Sequence, residues 1–247
     1  MIRLEIADAV AVATLSRPPV NAIDEAWIAR LREVLAQAAG ARVLVIRSDQ
    51  RAFSAGADLA LMRSRFDSAD GRRKMVAFAR EMQRAYAMLE ASPLVSIAEI
   101  CCAAMGGGLE LALACDFRIA SATAKLGLPE ARLGLLPGAG GTQRLTRLCG
   151  EATAKRLILG AEVVSGAQAA RLGIVHWAVA AQVLPARALR LAAQLAALPG
   201  NSLAACKRCI GAAGSDEGYE LELEATGALL ATEDTQGRVR DFLEKRR

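Results

Sequence analysis

The 247-residue chain is 53% hydrophobic, enough to bury the core of one large domain, alone or with an appendage. Aromatic residues make up only 4%, which argues against a base-stacking nucleic-acid platform and leaves alanine, leucine and valine to fill the core. The net charge of +5 comes from dispersed Lys and Arg; even the densest cluster, Glu244-Lys245-Arg246-Arg247, contains an acid, so the excess reads as a solvated surface or a match for a phosphate-bearing ligand.

Two short β-like runs, Ile2 to Ile6 and Val10 to Leu15, end at Arg17-Pro18-Pro19, where two prolines stop any ladder. Asp24 reads as an N-cap for a helix carrying Trp27, Leu31, Val34 and Leu35 on one face. A buried strand follows over Arg42 to Ile46, then a polar turn and AFSAGADL. From Asp70 to Glu90 the spacing of Met75, Phe78, Met82, Tyr86 and Leu89 predicts a long helix whose stripe faces the core. Pro93 ends it, and Leu94 to Ile100 is expected as a strand leading into Gly106-Gly107-Gly108. Another helix, a strand at DFRIAS and a long loop, AKLGLPEARLGLLPGAGGTQRL, come next. Beyond about residue 181 the pattern is helical, broken at Pro199-Gly200 and Gly214, which gives an α/β body followed by a helical C-terminal region.

Six cysteines (101, 102, 115, 149, 206 and 209) read as reduced thiols of a cytoplasmic protein. Cys206 and Cys209 form a C-x-x-C, but no second pair follows at zinc spacing, so no metal site is expected. The apolar stretch from residue 94 to 115 is interrupted by Glu99, the glycines and Glu110, so no segment is expected to span a bilayer.

The lone histidine, His176, restricts the chemistry: a Ser-His-Asp triad, a His-rich metal site or a His-paired cysteine would all have to use it, and its GIVHWAV setting reads as structural. AFSAG misses the nucleophile elbow by its first glycine, and PGAGGTQ lacks the last glycine of a dinucleotide loop. What remains is backbone. A strand that ends in three glycines and flows into a helix presents unpaired N–H groups where a developing oxyanion would be stabilised. The junction Ser54-Ala55-Gly56-Ala57-Asp58 offers a second such amide; both junctions can equally be tight crossovers between packed elements. Glu110 and Glu130 could then act as general acid and base if burial raises a pKa toward neutrality.

These blocks, LSRPPVNAID, RAFSAGADL, GGGLELALACDFRIAS, AKLGLPEARLGLLPGAGGTQRLTRLCG, GAEVVSGAQAARLGIV and ATEDTQGRVRDFLEKRR, occur in an order that resembles the crotonase superfamily, the enoyl-CoA hydratase/isomerase family, over essentially the whole chain. The resemblance implies a spiral of ββα units over residues 1–185 holding an acyl-CoA site, and a helical region over 186–247 that builds homotrimers or homohexamers. It places the two oxyanion amides on Ala55 and Gly107, and the catalytic carboxylates on Glu110 and Glu130. It implies substrate contacts at Ala22, Ala55, Gly56, Ala57, Asp58, Leu59, Gly106 and Gly107, with Arg17 nearby, and contacts to the adenine end from Phe242 and Lys245. No cofactor is implied beyond the coenzyme A of the substrate. Hydratases of this kind carry both glutamates, so hydration of a 2-enoyl-CoA is the expected reaction; the alternatives are a double-bond isomerase using Glu130 alone and a non-catalytic CoA- or RNA-binding relative. Leu61, Met62 and the stretch to Lys74 are expected in the pocket wall, with residues 63–74 as a flap. Two departures from the family pattern stand out: Glu99, expected as a third carboxylate or a subunit-interface ion pair, and Cys102, expected to fill volume and narrow the acyl pocket.

Overall fold

The computed structural model describes residues 1–244, so Lys245 lies outside the described residues. The strands are β1 (Ile2–Ala7), β2 (Val10–Leu15), β3 (Val43–Ser48), β4 (Ala52–Ser54), β5 (Val95–Ile100), β6 (Ala103–Met105), β7 (Phe117–Ser121), β8 (Lys125–Gly127), β9 (Val163–Ser165) and β10 (Trp177–Val179). The helices are α1 (Glu25–Gln37), α2 (Leu59–Arg63), α3 (Ala69–Ala91), α4 (Gly107–Leu113), α5 (Gly141–Ile158, broken at Gly150), α6 (Gly166–Arg171), α7 (Leu184–Ala196), α8 (Gly200–Gly211), α9 (Glu217–Leu230) and α10 (Glu233–Glu244).

Two sheets organise the body. The larger has the order β1-β2-β3-β5-β7-β10 and is parallel except for the β1–β2 hairpin; the smaller has the order β4-β6-β8-β9. Strands β3, β5 and β7 each hand the chain to a short partner, β4, β6 and β8, in the second sheet, and a helix returns it. That repetition is the ββα spiral. The strand expected to lead into the glycines is therefore two strands: Val95–Ile100 ends in the large sheet, Cys101 and Cys102 make the step, and Ala103–Met105 pairs with β4 and β8.

Local chemistry accounts for the helix starts. Asp24 Oδ1 accepts from Trp27 N at 2.8 Å, as an N-cap should, and Trp27, Leu31 and Val34 are fully buried. Ser68 caps α3 by accepting from Gly71 N at 2.9 Å. Residues 69–74 are thus the opening of a long helix, not part of a separate flap. Phe78, Met82, Tyr86 and Leu89 of α3 are core residues as expected, with Met75 packed against them, and Met75, Phe78 and Met82 also line a cavity. On the other side of the large sheet α7 lays Leu184, Ala188 and Leu191 against Val43, Val45, Val95 and Ile97. Lys207 ties α8 to the body through Asp116 at 2.8 Å and the Leu94 carbonyl at 2.8 Å. Among the described residues no helix is long and apolar enough to cross a membrane.

Candidate active site

The turn after β4 and the glycine loop after β6 meet backbone to backbone. Gly56 has φ +88°, and a side chain there would stand 2.9 Å from the Met105 carbonyl and 3.0 Å from the Gly107 nitrogen. Gly108 would likewise drive a Cβ to 2.5 Å from the Ser54 carbonyl. Bare backbone is what lets the two loops approach.

Sequence reasoning misassigned one amide. The Ala55 N–H donates to the Val20 carbonyl at 2.9 Å, so it is spent inside the fold and is no oxyanion donor. Gly56 N–H donates to Ser54 Oγ at 3.1 Å. The next amide, Ala57, finds no acceptor among the described residues, and neither does Gly107, whose own position lies beside the Ala57 nitrogen. Two unpaired donors thus converge where backbone groups are ordinarily satisfied. What separates Ala57 from Ala55 is the Val20 carbonyl, which takes the Ala55 amide and leaves that of Ala57 free among the described residues.

Glu110 sits in the first turn of α4, 2% exposed. Its Oε1 accepts from Ala139 N at 2.8 Å, in the loop before α5, and from Gly141 N at 2.7 Å, the first residue of α5. Burial pushes its pKa up to about 7; the two amides and Arg144 pull it down, and the neighbouring Glu130 pushes it further up. Arg144 fastens that loop: its Nη1 donates to the Ala139 carbonyl at 2.9 Å while Nε and Nη2 hold Glu90 at 3.1 and 2.9 Å.

Glu130 lies in the 3-10 turn Pro129–Leu133. Its Oε2 is buried without a hydrogen-bond partner, and burial raises its pKa. A Cβ on Gly106, at φ +50°, would sit 2.9 Å from Glu130 Oε1, so this glycine gives the carboxylate its room.

Both glutamates, Ala57 and Gly107 line one cavity of about 630 Å3. Its remaining wall is mostly apolar, Leu59, Met62, Phe78, Met82, Leu135 and Leu136 among others, with Arg72 as a charged member. A hollow of about 840 Å3 between α8 and α9 is larger and is lined by Asp216 and Glu222, but it does not contain Ala57, Gly107 or the two buried glutamates. An apolar cleft with a few convergent polar groups and raised pKa values is what a binding and catalytic site requires.

The other expected contacts are distributed. Ala55, Gly56 and Gly106 line the cavity; Asp58 instead caps α2 through Ala60 N at 2.9 Å and pairs with Arg17 at 3.3 Å. Arg17 also donates to the Ala22 carbonyl at 2.8 Å, which stiffens the turn beside the site. Leu61 is not in the wall, and Phe242 lies on α10, away from this chain's own cavity. His176 is structural, its Nδ1 accepting from Arg118 N at 3.2 Å.

Glu99 and Cys102 also depart from expectation. Glu99 is 4% exposed, makes no ion pair among the described residues, and does not line the cavity, so it is not a third carboxylate of the site. Cys102 does not line the cavity either; it packs on Cys101 and the Gln50 carbonyl. Asn21 is a residue that sequence reasoning passed over. Fully buried at φ +51°, its amide donates to Ser48 Oγ at 2.8 Å and reaches the carbonyls of Ala52 and Phe53 at 3.2 and 3.1 Å, pinning the proline turn to β4.

The family model for enoyl-CoA hydratase/isomerase matches residues 5–247. The chain belongs to the enoyl-CoA hydratase/isomerase family. A probable enoyl-CoA hydratase of Bacillus subtilis (strain 168) is 39% identical across 100% of this chain and 96% of its own length. The crotonyl-CoA hydratase of Syntrophomonas wolfei is 34% identical over the same shares. Among solved structures, DspI of Pseudomonas aeruginosa superimposes with a TM-score of 0.92 at 37% identity, covering 99% of this chain and 94% of that one. An enoyl-CoA hydratase from Bacillus anthracis gives 0.91 at 32%, covering 99% and 96%. The fold is the crotonase fold, and family members act on acyl-CoA thioesters.

Proposed function

We propose that this family member is an enoyl-CoA hydratase, adding water across the 2,3 double bond of a 2-enoyl-CoA to give the 3-hydroxyacyl-CoA. The observation that carries the reading is the convergence of two carboxylates of raised pKa and two unpaired amides on one apolar cavity. In this reading the thioester carbonyl oxygen accepts from Ala57 and Gly107, and these donors stabilise the enolate as charge builds on that oxygen. Glu110, anchored through Oε1, holds the water with its other oxygen and takes the proton as the water adds at the β-carbon. Its pKa near 7 suits a general base at neutral pH. Glu130, favoured in its protonated form by burial, delivers the proton to the α-carbon. Both groups belong to the chain, so the reaction needs no cofactor beyond the substrate's coenzyme A.

The basic surface suits the phosphates of that ligand, and we assign its adenine end to Phe242 and Lys245 of a neighbouring copy. Exposed Tyr219, Leu223 and Leu230 on α9 support an oligomer built through the C-terminal helices of residues 186–247, trimer or paired trimers, in the cytoplasm.

The test compares Glu110→Gln with Glu130→Gln in 2-enoyl-CoA hydration and 3-enoyl-CoA isomerisation. Loss of hydration by ~10²–10⁴-fold in both variants supports the assignment. A Glu110→Gln enzyme that keeps full isomerisation, with a native enzyme that never hydrates, makes the protein an isomerase working through Glu130.

A further inference from the structure

Cys101 and Cys102 are adjacent in sequence and in space, their sulfurs 2.7 Å apart and both partly exposed. They form the step between β5 of the large sheet and β6 of the small one. The two sulfurs are in hydrogen-bond contact and the Cys102 thiol also donates to the Gln50 carbonyl at 3.7 Å; the Cys101 thiol beside it, helped by the nearby Phe53 and Ala103 backbones and opposed by burial, lowers the Cys102 pKa, while the same pairing raises that of Cys101. Phe53 belongs to β4 and Ala103 to β6, which pair with each other. Four residues beyond Phe53 is the Ala57 amide, and four beyond Ala103 is Gly107. The sulfur of Cys102 therefore sits at the root of both strands that deliver the free amides.

We propose that Cys101 and Cys102 are a peroxide-sensitive dithiol whose closure to a vicinal disulfide turns down the oxyanion site; the control half of this inference rests on the reading of Ala57 and Gly107 given above. The Cys102 thiolate attacks one oxygen of hydrogen peroxide, breaking the O–O bond and giving a sulfenic acid and hydroxide, which takes up a proton to become water. The sulfur of Cys101 then attacks the sulfenic sulfur, its thiol proton leaving with the hydroxyl group as a second water. The two thiols together lose two electrons and two protons, and the peroxide is reduced to two waters. Adjacent residues keep their Cα atoms about 3.8 Å apart across a trans peptide, or ~2.9 Å across a cis one, against 4.4–6.8 Å in ordinary disulfides. The closed ring must therefore distort the 101–102 peptide. Such a strained bond is readily reduced, which suits a reversible control, and the distortion falls where β4 and β6 are paired. The other cysteines lack this arrangement: Cys115 is fully buried with its pKa pushed up to about 12, and Cys149 is raised by burial as well.

The experiment treats the full-length protein with hydrogen peroxide and reads two things, the peptide containing residues 101 and 102 by mass spectrometry after alkylation, and turnover. The expected result is a loss of two hydrogens from that peptide with both sulfurs closed to alkylation, a ~10–100-fold fall in kcat consistent with sub-ångström displacement of an amide, and recovery of both with dithiothreitol. Cys101→Ser and Cys102→Ser are expected to keep basal turnover and to resist reversible inactivation. The inference is overturned if the peptide keeps its hydrogens while other cysteines oxidise, if the disulfide forms with turnover unchanged, or if the serine variants are inactivated like the native chain. The mass readout needs no turnover, so an enzyme inactive on every enoyl-CoA would contradict the functional reading while leaving the dithiol chemistry measurable.

Discussion

Glu110 is stabilised as an acid by the fold. Raising its pKa from 4.5 to about 7 corresponds to about 3 kcal/mol between its two protonation states. Below pH 4.5 the group is protonated whether or not the chain is folded, and its contribution is fully favourable. As the pH rises toward 7 the unfolded chain ionises first, so stability falls, and it levels off above that. Denaturation at pH 5 and pH 8 should show this loss, and Glu110→Gln should reduce it; an unchanged pH slope in the variant would contradict the burial argument. Glu99 shifts in the same direction with no catalytic use: buried, its Oε2 unpartnered, only partly offset by Arg47, it is a stability defect at neutral pH. Glu99→Gln is expected to raise the melting temperature at pH 8 more than at pH 5 and to leave turnover unaltered. Gly107→Pro removes the amide itself and should lower turnover by ~10²–10³-fold, with circular dichroism confirming that the chain still folds. At this scale the sequence was partly legible. Glu110, Glu130 and Gly107 could be placed from motif and chemistry, but choosing Ala57 over Ala55 depends on which amide the Val20 carbonyl consumes, a contact 35 residues away along the chain.

Elements position what residues supply. The loop between the 3-10 turn and α5 and the first residue of α5 give Glu110 its two amides, and Arg144 on α5 fixes that loop through the Ala139 carbonyl and Glu90. Replacing Arg144 by Met frees the loop and also removes a positive charge that lowers the Glu110 pKa. The ionised form should then appear at higher pH, moving the acid limb of the kcat profile upward, and kcat should fall about tenfold through misplacement. A variant with native kcat and an unmoved profile would make Arg144 merely structural. Hydrophobic periodicity revealed α1 and α3 because their stripes are long. It did not show that Met75, Phe78 and Met82 of the α3 stripe also line a cavity, since Met and Phe are equally at home in a core or a pocket wall. The break between β5 and β6 also escaped it, because the run from Leu94 to Met105 stays apolar on both sides of the step except for Ser96 and Glu99.

At the scale of the molecule, alternation of strand, turn and helix was visible in the sequence, while the short strands β4, β6 and β8 and their pairing in a second sheet were not. Pairing of Ala52 with Ala103 and of Ala104 with Leu126 joins segments about 20 to 50 residues apart, and such long-range register leaves no local periodic mark. That second sheet is the functional device: it brings the turn after β4, the glycines after β6 and the Glu130 turn after β8 to one cavity. The apolar residues left exposed on α9 and α10 support the proposed association, for which sedimentation should give a trimer or a multiple of three; a monomer at micromolar concentration would contradict the assignment of the adenine end to a neighbouring copy. The most direct test of the hydratase reading is NMR of the purified protein with a short 2-enoyl-CoA in deuterium oxide, following water addition and label at the α-carbon together. The account predicts a 3-hydroxyacyl-CoA carrying one deuterium at the α-carbon, formed at a rate that Glu110→Gln and Glu130→Gln each depress. Migration of the double bond in a 3-enoyl-CoA with no hydroxyacyl product from the 2-enoyl-CoA would contradict it.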